Sequence, residues 1–406
     1  MTSRPNRPPK DDACSTRVLR LRLKDRHAKH LLALAREVNF VWNFCNEHSL
    51  RVLERERRFC SAYDLHPYMK GAAKEGLALH SQTVQAIADE YVTRRKQFKK
   101  RKLRWRVSTG PRRSLGWVPF KASAIRYRAG QVFLGKQALS LWDSYGLANF
   151  ELGSGNLSED ARGRWYLNVC VKVKKQAQAI DASAVSASAV GIDLGLKDFL
   201  ATSEGAKVEA EQFYRDLEPA LARSQRAGRK SRTRAIHARI ANRRKDFLHK
   251  LSTRLVKNHQ AIFVGDVDAQ KLTQTRMAKS VLDAGWSTFR TMLQYKCDDA
   301  GVWFKQVDEK FSTQECSCCA ARAGPKGLAG LSTREWVCTG CGTRHDRDTN
   351  SACVIKARGL VWLEKEFSAA AEARAVEAAV NEVAGAQALV AAAPGHGRPN
   401  VGIPVF

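Results

Sequence analysis

Five of the eleven cysteines lie close together in the C-terminal third of the chain. Cys316 and Cys319 form a pair with two intervening residues, and Cys338 and Cys341 form a second pair eighteen residues further on. This spacing is typical of Zn²⁺ held tetrahedrally by four thiolates, with Cys318 as a spare thiol. Because four thiolates fill the coordination sphere and exclude water, the predicted zinc site is structural and not catalytic.

Acidic residues are therefore the candidates for catalysis. Asp193 ends the apolar run AVGI, Asp266 lies in IFVGDVD, Glu309 ends WFKQVDE and Asp348 lies in HDRDTNSA. Four acids at the ends of buried strands, in a strongly cationic chain, are typical of a Mg²⁺ site that hydrolyses phosphodiesters. The residues alone leave open the alternative that Asp193 is a turn residue and Asp348 a helix cap.

The elements that must position these acids follow an α/β order. Apolar strand patterns precede Asp193 and Asp266, and a third strand pattern ends at Glu309. Helical patterns lie between them, over residues 221–256 and 277–297. The order strand, hairpin, helix, strand, helix, strand predicts an α/β unit.

The N-terminal half has a different organisation. Residues 16–23 alternate basic and apolar side chains, which predicts a strand, and residues 24–104 follow helical spacing. Between residues 107 and 177, three strand-like segments alternate basic and aromatic side chains. This alternation is typical of a small barrel or sheet that stacks bases and contacts phosphate, although β domains without nucleic-acid partners show it too.

The charge indicates a polyanionic partner. Across 406 residues, 69 Lys plus Arg stand against 40 Asp plus Glu, which gives a net charge of +29. Residues 94–106 (RRKQFKKRKLRWR) contain nine Lys or Arg and no acid. Because like charges at helix spacing destabilise a helix, contact with phosphate is favoured over a solvated helix face.

The composition disfavours membrane and secreted proteins. The most apolar stretch, residues 383–393, has about half of the roughly 20 residues that a spanning helix needs. The N-terminus is polar, unlike a secretory signal, and the cysteines are not spread as in a secreted disulfide scaffold. We expect an intracellular protein with roughly two to four structural units.

Several motifs together resemble the TnpB (OrfB) family, transposon-encoded relatives of type V CRISPR effectors. They are GIDLG at 191–195, STQECSCC with GPKGL and REWVCTGCG, and HDRDTNSA at 345–352. The resemblance runs from VWNFCNE at 41–47 to about residue 358. It implies an RNA-guided DNA endonuclease encoded by a transposable element, which cuts with Mg²⁺ beside a short flanking motif. Its implied partners are a guide RNA and double-stranded target DNA, and its implied location is the prokaryotic cytoplasm, in association with the nucleoid.

The resemblance also implies a multidomain α+β fold. An RNase H-like (RuvC) α/β nuclease domain carries a zinc-ribbon insertion, and an N-terminal β-barrel wedge domain carries a helical recognition insertion. The expected boundaries are a flexible arm over 1–13, the wedge barrel over 14–25 and 107–177, the helical insertion over 26–106, a linker over 178–189, the nuclease domain over 190–315 and 342–365, the zinc ribbon over 316–341, and a low-complexity tail over 366–406.

By the same resemblance, Asp193 matches the first RuvC acid and Asp348 the third, and the four paired cysteines match the ribbon. His345 is expected to be a hydrogen-bonding neighbour of the ribbon. The basic residues expected along the guide–target duplex are Arg94, Arg95, Lys96, Lys99, Lys100, Arg101, Lys102, Arg104, Arg243, Arg244 and Lys245.

The middle acid departs from the family pattern. The family usually has a glutamate at the end of the middle strand, whereas this chain has Gly265 there, followed by Asp266. A shift of one residue turns a strand side chain to the opposite face, so Asp266 is expected to point away from the metals. Glu309 ends the neighbouring strand and is our hypothesis for the missing middle acid, with Asp266 as the second choice.

Four alternative functions remain open from the sequence. The missing middle glutamate favours an RNA-guided DNA-binding protein without nuclease activity, while the retention of both Asp193 and Asp348 argues against it. A small type V CRISPR effector would have the same motifs. A ribosomal-type RNA-binding protein with a zinc ribbon would explain the charge and the cysteines but not the acids. A transposase that joins strands would use the same two-metal chemistry.

Overall fold

The computed structural model describes residues 14–391 except 73, 75, 179–180, 276, 328–329 and 331. The expected flexible arm over 1–13, and residues 392–406 of the expected tail, lie outside the described residues. The chain divides into two compact units. The first comprises Met1–Gln176, Phe213–Phe247 and Asp298–Ala300, and the second comprises Ala177–Gln212, Leu248–Cys297 and Gly301–Phe406.

In the N-terminal part of the chain, the described residues form three α-helices and seven strands. In chain order they are β1 (Cys14–Arg22), α1 (Ala28–Glu56), α2 (Ala62–Leu65), α3 (Ser81–Phe98), β2 (Trp117–Phe120), β3 (Ile125–Arg128), β4 (Gln131–Leu134), β5 (Gln137–Ser140), β6 (Leu152–Glu159) and β7 (Trp165–Lys174).

These strands form two antiparallel sheets. The larger has the order β1-β7-β6-β2 and the smaller the order β3-β4-β5. The alternation in β1 has the expected effect, because Leu19 and Leu21 are buried while Arg20 between them is exposed. A single bridge from Leu23 to Leu141 connects the ends of β1 and β5 among the described residues. The barrel expected from the sequence is thus observed as two sheets.

The helices α1 and α3 share a hydrophobic core with both sheets. The Trp42 ring of α1 packs edge-on against Tyr91 of α3 at 5.5 Å between centroids. α3 ends at Phe98, and Lys99 adopts a left-handed conformation that stops the helix. The basic run over 94–106 is therefore helical only in its first part, unlike the continuous helical segment expected up to residue 104.

The C-terminal part, as far as its residues are described, has seven α-helices and seven strands. In chain order they are α4 (Ala182–Ala187), β8 (Ala189–Leu194), β9 (Asp198–Thr202), β10 (Lys207–Glu209), α5 (Phe213–Arg226), α6 (Lys230–Asn258), β11 (Ala261–Gly265), α7 (Ala269–Leu272), α8 (Ala278–Ala284), α9 (Trp286–Ala300), β12 (Trp303–Val307), β13 (Glu335–Val337), β14 (Arg344–Asp346) and α10 (Arg347–Ala391).

The second unit is built on a five-stranded mixed sheet with the order β10-β9-β8-β11-β12. β8, β11 and β12 are parallel, while β9 and β10 form an antiparallel extension. This arrangement confirms the predicted α/β order. The carboxyl ends of the three parallel strands meet at one edge, and the candidate acids Asp193, Asp266 and Glu309 lie at or just beyond these ends.

Helix α10 packs directly on this sheet because two glycines permit close approach. A Cβ atom on Gly191 of β8 would lie 2.1 Å from the carbonyl oxygen of Ala352. A Cβ atom on Gly359 would lie 2.1 Å from the ring of Phe263 in β11. The first glycine of the GIDLG motif is therefore required by the contact between strand and helix.

Two expectations about local structure are wrong in part, namely the irregular linker and the uninterrupted helix over 221–256. The expected linker over 178–189 contains α4, which is capped by Asp181 and buries Val185. The expected tail continues α10 as far as Ala391. The helical pattern predicted over 221–256 is divided in two by a turn at residues 227–229. None of the helices in the described part of the chain has the length and apolarity that a membrane crossing requires.

Candidate active site and cysteine cluster

The register of the parallel strands places Asp193 beside Gly265, the glycine at the end of the middle strand. Ile192 of β8 pairs with Val264 of β11. Asp193 and Gly265 each follow one residue later, so they lie at the same level of the sheet. Both positions are at the carboxyl edge, where the residues after β12 also arrive. Functional groups are commonly placed at this edge of parallel strands.

Asp193 lies in a strongly acidic environment. Burial raises the pKa of its carboxyl group to about 7, and the negative charges of Glu309 and Asp348 add to this shift. A hydrogen bond with the Ser351 hydroxyl and the positive charge of Arg347 act in the opposite direction. The charges of Glu309 and Asp348 thus act on Asp193 from two other elements of the same unit.

Glu309 fills the space beside the glycine. Burial raises the pKa of its carboxyl group to about 7, and the charge of Asp266 raises it further. A Cβ atom built on Gly265 would lie only 2.6 Å from Oε2 of Glu309 and 3.3 Å from its Cβ. The Glu309 carboxylate thus occupies the position into which a side chain at residue 265 would project.

Asp266 lies next to this position but outside the cluster around Asp193. It is exposed, and its Oδ1 accepts a hydrogen bond from the Glu309 backbone N–H at 3.2 Å. Its own N–H donates to the carbonyl of Val307 at 3.0 Å, which continues the pairing of β11 with β12. Asp266 therefore supports the turn that carries Glu309.

Asp348 begins α10 and is held by two arginines. Arg334 Nη1 donates to its Oδ2 at 2.9 Å, and Arg347 Nη2 donates to its Oδ1 at 2.8 Å. The carboxylate lies in the first turn of the helix, where the helix dipole favours negative charge. Sequence reasoning identified Asp348 but assigned no role to either arginine.

Two polar residues of HDRDTNSA connect the acids to the cysteine region. The buried Asn350 donates to the Glu315 carbonyl at 2.7 Å and accepts from the Ser317 N–H at 2.9 Å. The buried Ser351 hydroxyl contacts that of Ser312 at 2.7 Å, in addition to its bond with the Asp193 carboxylate. Both residues lie in the motif, but their partners are at least 33 positions away in the sequence. These contacts could therefore not be inferred from spacing.

Arg358 fixes the loop that carries Glu309. Its Nη1 donates to the carbonyls of Asp308 at 2.7 Å and Lys310 at 3.0 Å, on either side of Glu309. Its Nη2 pairs with Glu315 at 2.7 Å. Sequence reasoning missed this residue because nothing in the sequence around it distinguishes it from other surface arginines of a helix.

The four paired cysteines converge as their spacing predicts. The sulfur atoms of Cys316, Cys319, Cys338 and Cys341 all lie within 4.8 Å of one another. Cys316 and Cys341 are 3.7 Å apart, and Cys319 and Cys338 are 3.6 Å apart. Tetrahedral thiolates at a Zn–S distance of about 2.3 Å would be separated by about 3.8 Å, so the donor set matches a zinc ion.

His345 is the neighbour of this cluster that the sequence predicted. Its Nε2 lies 3.0 Å from the sulfur of Cys316. Cys316, Cys318 and His345 also form a second, smaller group of possible ligands. Cys318 is exposed, in contrast to Cys316.

Hydrogen bonds with Thr343 lower the pKa of the Cys341 thiol to about 6, which favours the thiolate that a metal needs.

The basic run contains one residue that is not accessible to nucleic acid. Arg95 is only 3% exposed, and its guanidinium donates to the Cys60 carbonyl at 2.6 Å and to the Ser49 hydroxyl. Its placement in the expected interface is therefore corrected to a structural role inside the helical layer. Lys96, Lys99, Lys100, Arg101 and Arg104 are exposed.

The other candidate basic residues make local contacts. Arg94 is exposed and pairs with Glu90 at 2.6 Å, while Lys102 pairs with Glu47 at 3.4 Å. Arg243 pairs with Asp216 at 3.1 Å. Arg244 is partly exposed and Lys245 is exposed, both on α6.

Two family models match parts of the chain. Residues 286–355 match the Cas12f1-like TNB domain, and residues 168–276 match the OrfB_IS605 family, described as a probable transposase. The two regions include all four candidate acids and all four paired cysteines. These matches confirm the resemblance to the TnpB (OrfB) family that the motifs indicate.

Curated relatives have names that agree with this resemblance. The chain is 34% identical to a putative RNA-guided DNA endonuclease of Streptomyces pristinaespiralis over 266 residues, which is 61% of this chain and 64% of the relative. It is 27% identical to the putative RNA-guided DNA endonuclease InsQ of Escherichia coli strain K12, over 48% of this chain and 54% of the relative. The chain thus spans less than two thirds of the length of either relative.

The fold is similar to that of a protein solved in a Cas12f1–sgRNA–target DNA complex. The TM-score is 0.53, and the alignment covers 85% of this chain and 99% of the solved one. The sequence identity is 11%, so the likeness is one of fold. It establishes a multidomain architecture with mixed α and β elements for this chain.

Proposed function

We propose that this chain is an RNA-guided DNA endonuclease of transposon origin. In this proposal Asp193, Glu309 and Asp348 form a Mg²⁺-dependent centre that hydrolyses target DNA beside a short flanking motif. The observation that carries the proposal is the position of Asp193 and Glu309 at the carboxyl edge of the parallel strands, where the charges of Glu309 and Asp348 act on Asp193. The names of the relatives support the choice of reaction.

The topology of the second unit supports an RNase H-like (RuvC) assignment. Such a domain has an antiparallel three-stranded extension followed by parallel strands, and the order β10-β9-β8-β11-β12 has this form. We assign the nuclease domain to residues 190–315 and 342–365. We assign the zinc ribbon to residues 316–341, with the hairpin of β13 and β14 extending it to Asp346.

Structural zinc is the metal that suits the cysteine cluster. Four sulfur donors converge on one point, two of the sulfurs belong to buried residues, and the set is complete without water. The cluster lies at one end of the hairpin whose other end leads into Asp348. In this proposal zinc stabilises the ribbon and, through it, the start of α10.

Mg²⁺ is the metal that suits the acidic centre, because the candidate ligands there are carboxylate oxygens and hard cations prefer oxygen ligands. Bound Mg²⁺ would neutralise charge on the attacking and leaving oxygens of the phosphodiester. The chain itself contributes the arrangement of the ligands. Ser351 orients Asp193, Arg358 fixes the loop of Glu309, and the start of α10 orients Asp348.

Guide RNA and double-stranded target DNA are the proposed partners. The exposed part of the basic run and the basic helix α6 would contact their backbones, since Lys and Arg contacts with phosphate are independent of sequence. Base pairing with the guide would select the target, and the protein would read the short flanking motif. The interface residues in this proposal are Arg94, Lys96, Lys99, Lys100, Arg101, Lys102, Arg104, Arg243, Arg244 and Lys245.

The test is to express the chain with its native downstream DNA and to sequence the RNA that co-purifies. That RNA, reprogrammed, is then used with the protein against a plasmid library with randomised flanks in Mg²⁺. We expect a discrete RNA and cleavage beside one short motif, and no cleavage by Asp193→Asn. Motif-dependent binding without cleavage by the wild type would favour the inactive DNA-binding protein, and absence of a discrete RNA would contradict the guided function.

A further inference from the structure

Asp348 has both carboxylate oxygens engaged by guanidinium groups. Arg347 bonds to Oδ1 through Nη2 at 2.8 Å and through Nε at 3.0 Å. Arg334 bonds to Oδ2 through Nη1 at 2.9 Å. Asp348 is therefore unlike Asp193, whose surroundings are dominated by burial and by other acids.

The two arginines come from different places. Arg347 precedes Asp348 directly, is 13% exposed and also donates to the Gly330 carbonyl at 3.3 Å. Arg334 immediately precedes β13 and is 39% exposed. Its carbonyl accepts a hydrogen bond from the Arg347 N–H at 2.7 Å, which closes the open end of the β13–β14 hairpin. The other end of this hairpin carries Cys338 and Cys341.

We infer that Arg334 is a counter-ion of Asp348 that competes with the divalent cation for this carboxylate. The inference rests on the proposed function, because it takes Asp348 as a metal ligand. A carboxylate oxygen that accepts a charge-assisted hydrogen bond has to give it up, at least in part, before it can bind a cation. In addition, a guanidinium at this distance repels a dication placed on the same oxygen.

Arg334 is the arginine that can move. It is about three times as exposed as Arg347, and the only side-chain bond that the structure gives for it within the described residues is the one to Asp348. Arg347 is only slightly exposed and also bonds to the Gly330 carbonyl. Arg334 is thus a positioning residue that keeps Asp348 paired until metal enters, and the ribbon is the element that supplies it.

The test measures metal affinity and needs no nucleic acid. Mn²⁺, as the probe, is titrated into the zinc-loaded protein, and free Mn²⁺ is measured by electron paramagnetic resonance. Asp193→Asn identifies the binding that belongs to the acidic centre. Arg334→Gln is compared with Arg344→Gln, a matched change in the same hairpin. Arg344 pairs with Glu335 and not with one of the three proposed metal ligands.

We expect Arg334→Gln to bind Mn²⁺ roughly two- to fivefold more tightly than the wild type, which is the range for a partly exposed ion pair. Arg344→Gln should bind as the wild type does, and Arg334→Lys, which keeps the charge without the planar fork, should fall between them. Zinc content and melting temperature identify any variant that has misfolded.

Equal or weaker Mn²⁺ binding by folded Arg334→Gln would overturn the inference and leave the proposed function intact. If Arg334→Gln itself loses zinc, the comparison of Arg334→Lys with the wild type decides, and unchanged affinity in that variant overturns the inference. If Asp193→Asn binds Mn²⁺ as the wild type does, the proposed metal centre is overturned, and the inference with it.

Discussion

The carboxylate of Glu309 stands where a side chain on Gly265 would be: a Cβ atom at residue 265 would lie 2.6 Å from Glu309 Oε2. Gly265 is at the end of the middle strand, where the family usually has a glutamate, and Glu309 follows the neighbouring strand. The space next to Gly265 is thus taken by the Glu309 carboxylate, which arrives from the segment after β12. A glycine at 265 is what leaves this space free.

Gly265→Ala should consequently impair cleavage without unfolding the protein. The added methyl group cannot lie 2.6 Å from a carboxylate oxygen, so the Glu309 carboxylate has to leave its present position. We expect a loss of at least about tenfold in the rate of cleavage, since a displacement of a reacting group by about 1 Å can cost more than this. The measurement is the single-turnover cleavage rate, with the melting temperature as the check on folding.

An exchange of the two residues provides the complementary test. Gly265→Glu combined with Glu309→Ala returns the acid to β11 and removes the side chain that would collide with it. The double variant should cleave faster than Glu309→Ala alone. If it cleaves no faster, although it is folded, the idea that the two positions supply the same ligand is wrong.

Adjacent cysteines should differ completely in their effect on zinc. Cys319→Ser removes one of four converging sulfurs, whereas Cys318→Ser changes an exposed thiol outside that set. We expect one zinc ion per chain in the wild type and in Cys318→Ser, and a large loss of zinc and of melting temperature in Cys319→Ser. Elemental analysis of the purified proteins measures this. Loss of zinc in Cys318→Ser alone would favour the group of Cys316, Cys318 and His345 instead.

The acidic centre should make the stability of the Mg²⁺-free protein depend on pH. The pKa of Asp193 is raised from 3.8 to about 7 on folding, so the folded state binds this proton more tightly than the unfolded state. Stability from this group is present at low pH and is lost as the pH rises to about 7. Asp193→Asn carries no charge, so it should be more stable than the wild type by about 1–3 kcal/mol at pH 8 and no more stable at pH 4.

Thermal unfolding of both proteins at the two pH values, without added Mg²⁺, measures this difference. Glu151→Gln, a change at an exposed acid, serves as a control for the general effect of removing an acid from this cationic chain. A gain for Asp193→Asn that is the same at pH 4 and pH 8 would show that the carboxyl group is not held at a raised pKa.

We expect the basic run to contain several residues that contact nucleic acid and one residue, Arg95, that has a structural role. Changing Lys96, Lys99 and Lys100 to Gln removes three exposed cations. The slope of log affinity for RNA against log salt concentration should then fall by about 2 to 3. Arg95→Met should instead lower the free energy of unfolding by about 1–3 kcal/mol, because it leaves the Cys60 carbonyl and the Ser49 hydroxyl without their donor.

Filter binding over a range of salt concentrations and urea denaturation measure the two effects. The triple variant should unfold like the wild type. An unchanged salt slope in the triple variant would remove this segment from the proposed interface.

Local patterns were enough to indicate the candidate residues of both sites. Two cysteine pairs with fixed spacing identify a metal site because each pair is a local turn, and Asp193 follows a run of apolar residues that could only be a buried strand. The α/β order also followed from the alternation of such patterns. Asp348 was found through the motif in which it lies.

Contacts between distant residues could not be predicted in this way. Arg334 pairs with Asp348 across a hairpin, and Arg358 reaches the loop of Glu309 across about fifty residues. Charge density also misled at Arg95, because a run of Lys and Arg does not show which side chain turns inward when a helix packs. The collision at Gly265 depends on the relative placement of two strands, which no spacing in the sequence defines.

The central claim, that Glu309 completes the catalytic centre, is tested most directly by comparing Glu309→Gln with Asp266→Asn. Cleavage of a guide-matched plasmid by each purified variant, loaded with the same RNA, is measured against the wild type in Mg²⁺. We expect Glu309→Gln to lose at least about 100-fold in rate, as for a lost metal ligand, and Asp266→Asn to stay within about threefold. Full cleavage by Glu309→Gln, or loss of cleavage in Asp266→Asn alone, would contradict this account of the site.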